Sequence, residues 1–185
     1  MYTWEELKQF TGRCTRCPLC RTRTHPVMGR GNLKADVMFI AEAPGRQEDQ
    51  QGIPFVGPAG HMLDELLAAA SLSRDEIYLT NIIKCNPPFN RDPSDEEKNA
   101  CIPYLKYETL LIRPKIMVCL GRVAAQRIIS PDFRITREHG RWTERKGYWL
   151  TAAYHPSALL RDPSKVEETR RDFLAIRDKL RELSL

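Results

Sequence analysis

The chain has 185 residues, of which 42% are hydrophobic and 29% charged, with six cysteines and a formal net charge of +5. This size and composition fit one domain with one core and exclude repeat arrays, disordered chains and small disulfide-stapled scaffolds. No apolar run approaches the roughly 20 residues that cross a bilayer, and the N-terminus lacks a secretory signal, so we predict a single cytoplasmic, monomeric domain over residues 1–185 with no membrane partner.

The first predicted elements are a helix, a strand and a second helix. Thr3 precedes Glu6 by three residues, and this capping box predicts that a helix starts there. Residues 36–41 form an unbroken apolar run, which predicts a strand. Residues 60–71 repeat apolar side chains at helical spacing, which predicts a helix with one face against the core.

The middle of the chain predicts two further strands separated by a helix. The strands are the apolar runs at 77–83 and 115–120. A second capping box, in which Ser94 precedes an acid by three residues, starts a helix at about 95–111. Pro103 lies inside that helix, so we expect a kink or a break there.

The last third predicts a short helix at 122–129, loops or an edge hairpin at 131–147, and a fourth strand at 148–154. A third capping box at Ser164 starts the final helix, at about 165–183. Unbroken apolar strands that alternate with helices are typical of parallel sheets buried on both faces. We therefore predict an α/β fold, a three-layer αβα architecture with a central four-stranded, mainly parallel sheet flanked by helices.

Polar residues follow the predicted strands at the edge where ligands bind in such sheets. Glu42 follows the first strand, Asn81 lies at the end of the second, Gly121 follows the third, and His155 follows the fourth. The topology alone therefore predicts that a carboxylate, an amide and an imidazole meet in one active site.

Positive charge is concentrated in two regions of the sequence. Residues 13–34 contain six Lys or Arg and no acid, and residues 111–185 contain 16 Lys or Arg against 9 Asp or Glu. Any single charge is best explained as solvated surface. Clusters of this kind also suit a polyanion such as a nucleic acid.

The cysteines divide into three groups. Cys14 and Cys17 have the C-x2-C spacing that places two sulfurs on one metal or cluster, and Cys85 and Cys101 are candidates to complete four thiolates. The spacing does not separate zinc from iron–sulfur. Cys20 is a competing ligand, and Cys119, within an apolar strand, is best explained as a small buried hydrophobe.

Residues 41–60 carry the most unusual local sequence, AEAPGRQEDQQGIPFVGPAG. On its own it is explained as a strained connection from a strand to a helix with a core phenylalanine. It also resembles the first motif of the family 4, iron–sulfur-containing uracil-DNA glycosylases, in residues 42–45, 48–49 and 54–60. Residues 80–93, with the Lys-Cys-Asn-Pro-Pro run, resemble the second motif of that family, and His155-Pro156-Ser157 resembles its last.

The resemblance extends from about residue 8 to residue 180, and it implies an enzyme that excises uracil from single- or double-stranded DNA. It also implies a [4Fe–4S] cluster on Cys14, Cys17, Cys85 and Cys101, whose structural role would be to tie residues 1–34 to the domain. The sequence departs from the family pattern at Ala41, where glycine is usual, and in having Cys20.

The resemblance also implies roles in the pocket for a flipped-out uracil. Phe55 would stack on the ring, Asn81 would read its N3–H and O4 edge, and Glu48 would lie beside C5. The catalytic residues would be Glu42, which orients water, and His155, which donates to O2. The residues Ala41 and Ala43 complete the predicted uracil site, and Ser157, Leu159 and Arg161 are the predicted DNA contacts.

Two rival hypotheses remain at the level of sequence. Other superfamily branches have Asp or Asn where this chain has Ala43, so the protein is alternatively a weak or inactive member that binds DNA or deaminated bases. The second rival is an interaction protein that keeps only the fold and a zinc or cluster site.

Overall fold

A computed structural model describes residues 2–184 and contains one sheet with helices on both faces. The strands are β1 (Arg30–Gly31), β2 (Val37–Ala41), β3 (Ile77–Asn81), β4 (Ile116–Leu120), β5 (Thr143–Arg145) and β6 (Tyr148–Ala153). The helices are α1 (Trp4–Gly12), α2 (Arg46–Gln51), α3 (Pro58–Ala69), α4 (Asp95–Ile112), α5 (Arg122–Ile128), α6 (Ile135–Glu138), α7 (Pro156–Arg161) and α8 (Val166–Glu182).

The sheet has the strand order β1-β3-β2-β4-β6-β5. The four predicted strands are its parallel centre, with Ala41 level with Asn81 and Leu120 level with Ala153. The predicted count of four strands is corrected to six, because the short strands β1 and β5 pair antiparallel at the two edges. The β5–β6 pair is the edge hairpin expected from the polar residues at 131–147.

Both faces of the sheet are buried. Each face forms a core with its own layer of helices, and the sheet between the two helical layers makes three layers in all. One core lies under α1, α4 and α5 and includes Met38, Ile40 and Tyr78. The other lies under α3, α7 and α8 and includes Phe39, Val118 and Phe173. Alternate residues of β2 enter opposite cores, as expected for a period of two in a strand. The predicted αβα architecture is therefore confirmed.

The ends of the helices confirm two capping boxes and correct the third. The side chains of Thr3 and Ser94 each accept a backbone N–H three residues later, as predicted. Ser164 instead lies in a 3-10 turn, because the Asp162 carboxylate accepts its N–H and its hydroxyl. The final helix consequently starts after that turn, without a side-chain cap.

Helix α4 continues through Pro103 for 18 residues, so of the two expected outcomes, a kink or a break, the break does not occur. Tyr104, Leu105 and Glu108 are buried on its inner face. The free energy gained by this packing offsets the cost of the backbone hydrogen bond that a proline removes from a helix.

None of the helices formed by residues 2–184 has the length and apolar character that a bilayer span requires.

Candidate active site

A cleft of about 590 Å³ opens at the carboxyl-terminal edge of the sheet. The residues that end or follow the four parallel strands all line it, namely Glu42, Asn81, Gly121 and His155. The structure thus brings the predicted carboxylate, amide and imidazole together. Parallel strands make this arrangement unavoidable, because all four carboxyl ends meet at the same edge.

Phe55 lies in the same cleft, in a strained turn. Its φ is 55°, in the left-handed region that a phenylalanine rarely adopts and that costs about 1–3 kcal/mol. Its ring faces the imidazole of His155, with centroids 6.0 Å apart and planes inclined by 27°. The flat apolar face of Phe55 is therefore held opposite the His155 ring, whose nitrogen atoms form a polar edge.

Two side chains and one glycine hold the Phe55 turn. Glu48 Oε1 accepts the backbone N–H groups of Val56 and Gly57, at 3.0 and 2.9 Å. Arg74 Nη2 donates to the Phe55 carbonyl at 2.9 Å. A Cβ on Gly60 would lie 2.0 Å from that carbonyl oxygen, so only glycine fits there. Glu48 lines the cleft as predicted, but its carboxylate is engaged by the turn.

Arg74 is a supporting residue that the sequence did not reveal. It lies in a polar connection after α3, where an arginine is ordinary, and its two ion-pair contacts to Asp64 add to its hold on the turn. A contact between a side chain and a distant backbone carbonyl has no signature in a single sequence.

His155 is held in a defined orientation by the start of α7. The backbone N–H of Ser157 donates to Nδ1 at 3.1 Å, and the Ser157 hydroxyl lies 2.7 Å from the same nitrogen. Because Nδ1 accepts, the proton of the neutral ring is on Nε2. Burial, with a smaller contribution from Arg161, lowers the pKa of His155 to about 4. The imidazole is therefore a neutral N–H donor at neutral pH.

Glu42 is partly buried in the cleft and has the opposite kind of shift. Burial raises the pKa of its carboxyl, and the nearby Asp92 raises it further, whereas Arg122 and Lys98 lower it. A raised pKa makes the ionised carboxylate a stronger proton acceptor, which suits a general base.

Asn81 has an exposed fraction of only 3%, and its carboxamide lines the cleft. Within residues 2–184 no group forms a hydrogen bond with this carboxamide. Its main-chain carbonyl, in contrast, accepts from Lys84 Nζ at 2.8 Å. The carboxamide oxygen and nitrogen are not themselves fully buried, and both are available to a ligand in the cleft that offers a donor and an acceptor.

Two predicted contacts are corrected by the structure. Leu159 is only 1% exposed and packs in the core under α7, so it cannot reach DNA, whereas its neighbour Leu160 is 47% exposed. Ala41 is fully buried, has an ordinary negative φ and does not line the cleft, whereas Ala43 does. The extra methyl of Ala41 therefore causes neither strain nor crowding of the pocket.

A second, smaller cavity collects five of the six cysteines, Cys14, Cys17, Cys20, Cys85 and Cys101. None of these five cysteines forms a disulfide, and Cys119 is fully buried in β4, away from them. Burial raises the pKa of Cys101 to about 12. Arg23 Nη1 donates to Cys85 Sγ, and the Lys84 N–H donates to Cys101 Sγ, both at 3.2 Å.

The sulfurs that line this cavity, with N–H groups donating to two of them, are a donor set that fits a thiolate-bound cluster. Hydrogen bonds from N–H groups to sulfur are a usual feature of iron–sulfur sites, where they tune the cluster.

Comparison with known proteins agrees with this geometry. The sequence model of the uracil DNA glycosylase superfamily matches residues 28–181. The chain is 45% identical to the type-4 uracil-DNA glycosylase of Archaeoglobus fulgidus, over 88% of this chain and 86% of that protein. It is 40% identical to type-4 uracil-DNA glycosylases of Sulfurisphaera tokodaii, over 96% of this chain and 85% of the relative, and of Thermotoga maritima, over 89% and 88%.

Proposed function

The chain belongs to the uracil-DNA glycosylase superfamily, and from that premise we propose that it is a base-excision repair hydrolase. It cleaves the N-glycosidic bond of uracil in single- or double-stranded DNA, releases free uracil and leaves an abasic site. One observation carries the proposal: the cleft combines an amide that no protein group pairs within residues 2–184, a neutral N–H donor and a carboxylate around one aromatic face.

Recognition of the base follows from the shape and hydrogen-bonding capacity of the cleft. A flipped-out uracil stacks on Phe55, and the Asn81 carboxamide accepts from N3–H and donates to O4. Cytosine has an amine at C4 and no proton on N3, so it would leave both groups of a buried amide mispaired. Mispairing of this kind discriminates between uracil and cytosine more strongly than apolar contacts would.

Bond cleavage leaves the electron pair on uracil N1 and spreads the negative charge onto O2. His155 donates its Nε2–H to O2, and the burial that keeps the ring neutral also strengthens this hydrogen bond. Water then adds to C1′ of the oxocarbenium-like sugar and loses its proton. Glu42 orients the water and accepts that proton, which Ala43 cannot do.

The cavity of cysteines supports a [4Fe–4S] cluster held by Cys14, Cys17, Cys85 and Cys101, with Cys20 beside it. The cluster supplies a structural tie between residues 1–34 and the rest of a single domain over 1–185, and the reaction itself needs no electron from it. The exposed Arg161 at the rim of the cleft contacts a DNA phosphate. One chain provides every group of the cleft, so a monomer suffices.

The deciding experiment incubates the protein with single- and double-stranded oligonucleotides that contain one uracil, then cleaves abasic sites with alkali. We expect strand cleavage with uracil and none with cytosine or thymine at the same position. The Glu42→Gln/His155→Ala double variant is the background control. Binding of uracil-containing DNA without product above that background would favour the non-catalytic rival.

The role of Asn81 has its own test. Asn81→Asp presents a carboxylic acid or carboxylate that pairs with the cytosine edge, so we expect it to release cytosine from DNA while uracil release falls. Uracil release by Asn81→Ala should fall by about 10- to 100-fold, since one or two hydrogen bonds are lost. Full activity of Asn81→Ala would exclude the proposed reading of the base.

A further inference from the structure

A phenylalanine that belongs to neither hydrophobic core lies at the rim of the cleft. Residues 87 and 90–92 line the cleft, and Phe89 lies in the same short turn. The side chain of Phe89 is 103% exposed, more than any other large hydrophobic side chain in residues 2–184. It stabilises no core, and its full ring surface is in contact with water.

The backbone that presents this ring is strained. Phe89 has φ 57° and ψ 20°, and Asn90 follows with φ 53°. A phenylalanine rarely adopts this left-handed backbone, whereas an asparagine tolerates it, and strain of this kind is concentrated at functional sites. A strained turn that exposes an aromatic ring lowers the stability of the folded chain. Folding therefore does not explain this turn, whereas binding of a ligand would.

The turn is also rigid, and it is tied to the catalytic edge of the sheet. Prolines at 87 and 88 restrict its entry. The side-chain amide of Asn86 donates to the Pro44 carbonyl and to Asn90 Oδ1, both at 2.7 Å. Pro44 lies two residues after Glu42, so these bonds hold the backbone that carries Phe89 close to the reacting groups.

The charged neighbours of Phe89 are already neutralised. Arg91 forms a two-point ion pair with Glu97, at 2.8 and 2.7 Å. Asp92 pairs with Arg122 at 2.8 Å. The rim at this point therefore offers a ligand an aromatic face more than a charge, which suits a nucleobase better than a phosphate.

We propose that Phe89 is a stacking platform for a base of the uracil-bearing strand that flanks the flipped-out nucleotide. This rests on the proposed function, because it takes the cleft as the place where the nucleotide enters. Flipping leaves the adjacent bases without a stacking partner, and an exposed aromatic ring restores that contact. Leu160, exposed on α7 beside the cleft residue Arg161, is a second apolar group at the rim.

Stacking on an aromatic side chain contributes about 1–3 kcal/mol per base, which corresponds to a change of roughly 5- to 150-fold in affinity. The probe is a single-stranded oligonucleotide with a tetrahydrofuran abasic analogue at the uracil position. Its Kd should rise by that factor in Phe89→Ala and stay near the wild-type value in Phe89→Trp. Phe10→Ala is the matched control, because Phe10 is also exposed and lies on α1, which contributes no residue to the cleft.

Two readouts separate stacking from a general loss of DNA affinity. The slope of log Kd against log salt should be the same in Phe89→Ala and in the wild type, because no phosphate contact is removed. Replacing one flanking base by a second abasic analogue should weaken the wild type but add nothing in Phe89→Ala. Additive losses at every flanking position, or Phe89→Ala binding as tightly as Phe10→Ala, would overturn the inference.

Uracil release by the wild type is measured in parallel, so that the two proposals fail separately. Release by the wild type together with an unaffected Phe89→Ala variant would remove the stacking platform and leave the function in place. A wild type that releases no uracil would remove the function, whatever Phe89 does. Melting temperature checks that each variant is folded.

Discussion

At the residue scale, the cleft shifts the pKa values of its two proposed catalytic groups, Glu42 and His155, in opposite directions. Burial lowers the pKa of His155 to about 4, and burial raises the pKa of Glu42 from its usual value. Both shifts favour the neutral form, because a charge loses solvation inside the cleft. His155 is therefore already neutral at the pH where Glu42 becomes ionised.

This arrangement predicts which group sets the acid limb of the pH–activity profile, that is, the rise of kcat/KM with pH on its acidic side. If ionised Glu42 accepts the proton of water, kcat/KM rises with pH through the raised pKa of Glu42 and is lost below it. Glu42→Gln should have low activity that no longer depends on pH across that range. The measurement is uracil release against pH, and the exposed Glu65→Gln variant on α3 should keep the wild-type limb.

The contrary result is equally specific. A limb that persists in Glu42→Gln would belong to another group, and His155 would be the first candidate. In that case the limb should disappear in His155→Gln, which keeps an N–H donor but does not titrate.

The sequence located the cleft residues that follow strands and misjudged those fixed by local packing. Glu42, Asn81 and His155 were found because a parallel sheet sends all its strand ends to one edge. Leu159 was misjudged because α7 has only six residues, which is too few for its apolar pattern to show which side faces inward. The hold of Arg74 on the Phe55 carbonyl joins distant positions and leaves no local pattern.

At the scale of elements, the Phe55 turn depends on a carboxylate from α2. Glu48→Ala removes two hydrogen bonds to the backbone of the turn, and bonds to a charged group contribute about 1.5–3 kcal/mol. We expect the strained φ of Phe55 to relax and free uracil to inhibit the enzyme about 10- to 150-fold less strongly. Glu65→Ala is the control, and an unchanged inhibition constant would contradict this role.

The segment that follows β3 is joined to helix α4 by a buried ion pair. Lys84 Nζ lies 2.6 Å from Glu108 Oε2 and also donates to the hydroxyl of Thr80. Glu108 Oε1 in turn accepts the hydroxyl of Tyr78 and the N–H of Gly29. Because both charges are buried, the loss of one partner leaves the other uncompensated.

Lys84→Met should therefore lower the free energy of unfolding by about 3–5 kcal/mol. Lys115→Met breaks the more exposed pair with Asp36 and should cost at most about 1 kcal/mol. Denaturant titration measures both. The Lys84→Met/Glu108→Met double variant should recover part of the loss, and a Lys84→Met protein as stable as Lys115→Met would contradict the prediction.

The prediction of elements succeeded where burial decides the pattern. Strands β2, β3 and β4 are buried throughout and β6 over its last four residues, and their unbroken apolar runs predicted all four. Strand β1 has two exposed residues and forms only because β3 offers it a free edge. Ser164 had the sequence of a capping box, but the Asp162 carboxylate accepts its N–H instead. The capping-box pattern does not show which of two such hydrogen-bonding arrangements is the more stable.

At the scale of the whole molecule, the N-terminal segment is bound to the domain through the cysteine cavity. Cys14 and Cys17 precede and follow a turn that packs against α4, and Arg23 joins the segment to Cys85. The other basic residues of the region, Arg13, Arg16, Arg21, Arg30 and Lys34, are exposed. The cavity therefore fixes a basic surface relative to the cleft, while Arg23 itself is turned inward.

If a [4Fe–4S] cluster fills the cavity, its four proposed ligands and the two remaining cysteines should behave differently. Cys14→Ser and Cys101→Ser should lose iron and acid-labile sulfide, whereas Cys20→Ser and Cys119→Ala should retain both. Chain isolated without oxygen is assayed for both elements. Zinc in place of iron, or loss of iron in Cys20→Ser alone, would contradict the ligand set.

Loss of the cluster should also change how the whole molecule binds DNA. Without the tie, the exposed arginines of residues 13–34 are no longer held toward the phosphates, so fewer counterions are released on binding. For single strands, log K falls with log salt at a slope of about −0.7 per neutralised phosphate. Cys14→Ser should therefore bind more weakly than Cys20→Ser and with a shallower slope. Equal slopes in folded samples would mean that the basic segment is positioned without the cluster, by contacts such as the Val27 N–H to the Lys84 carbonyl.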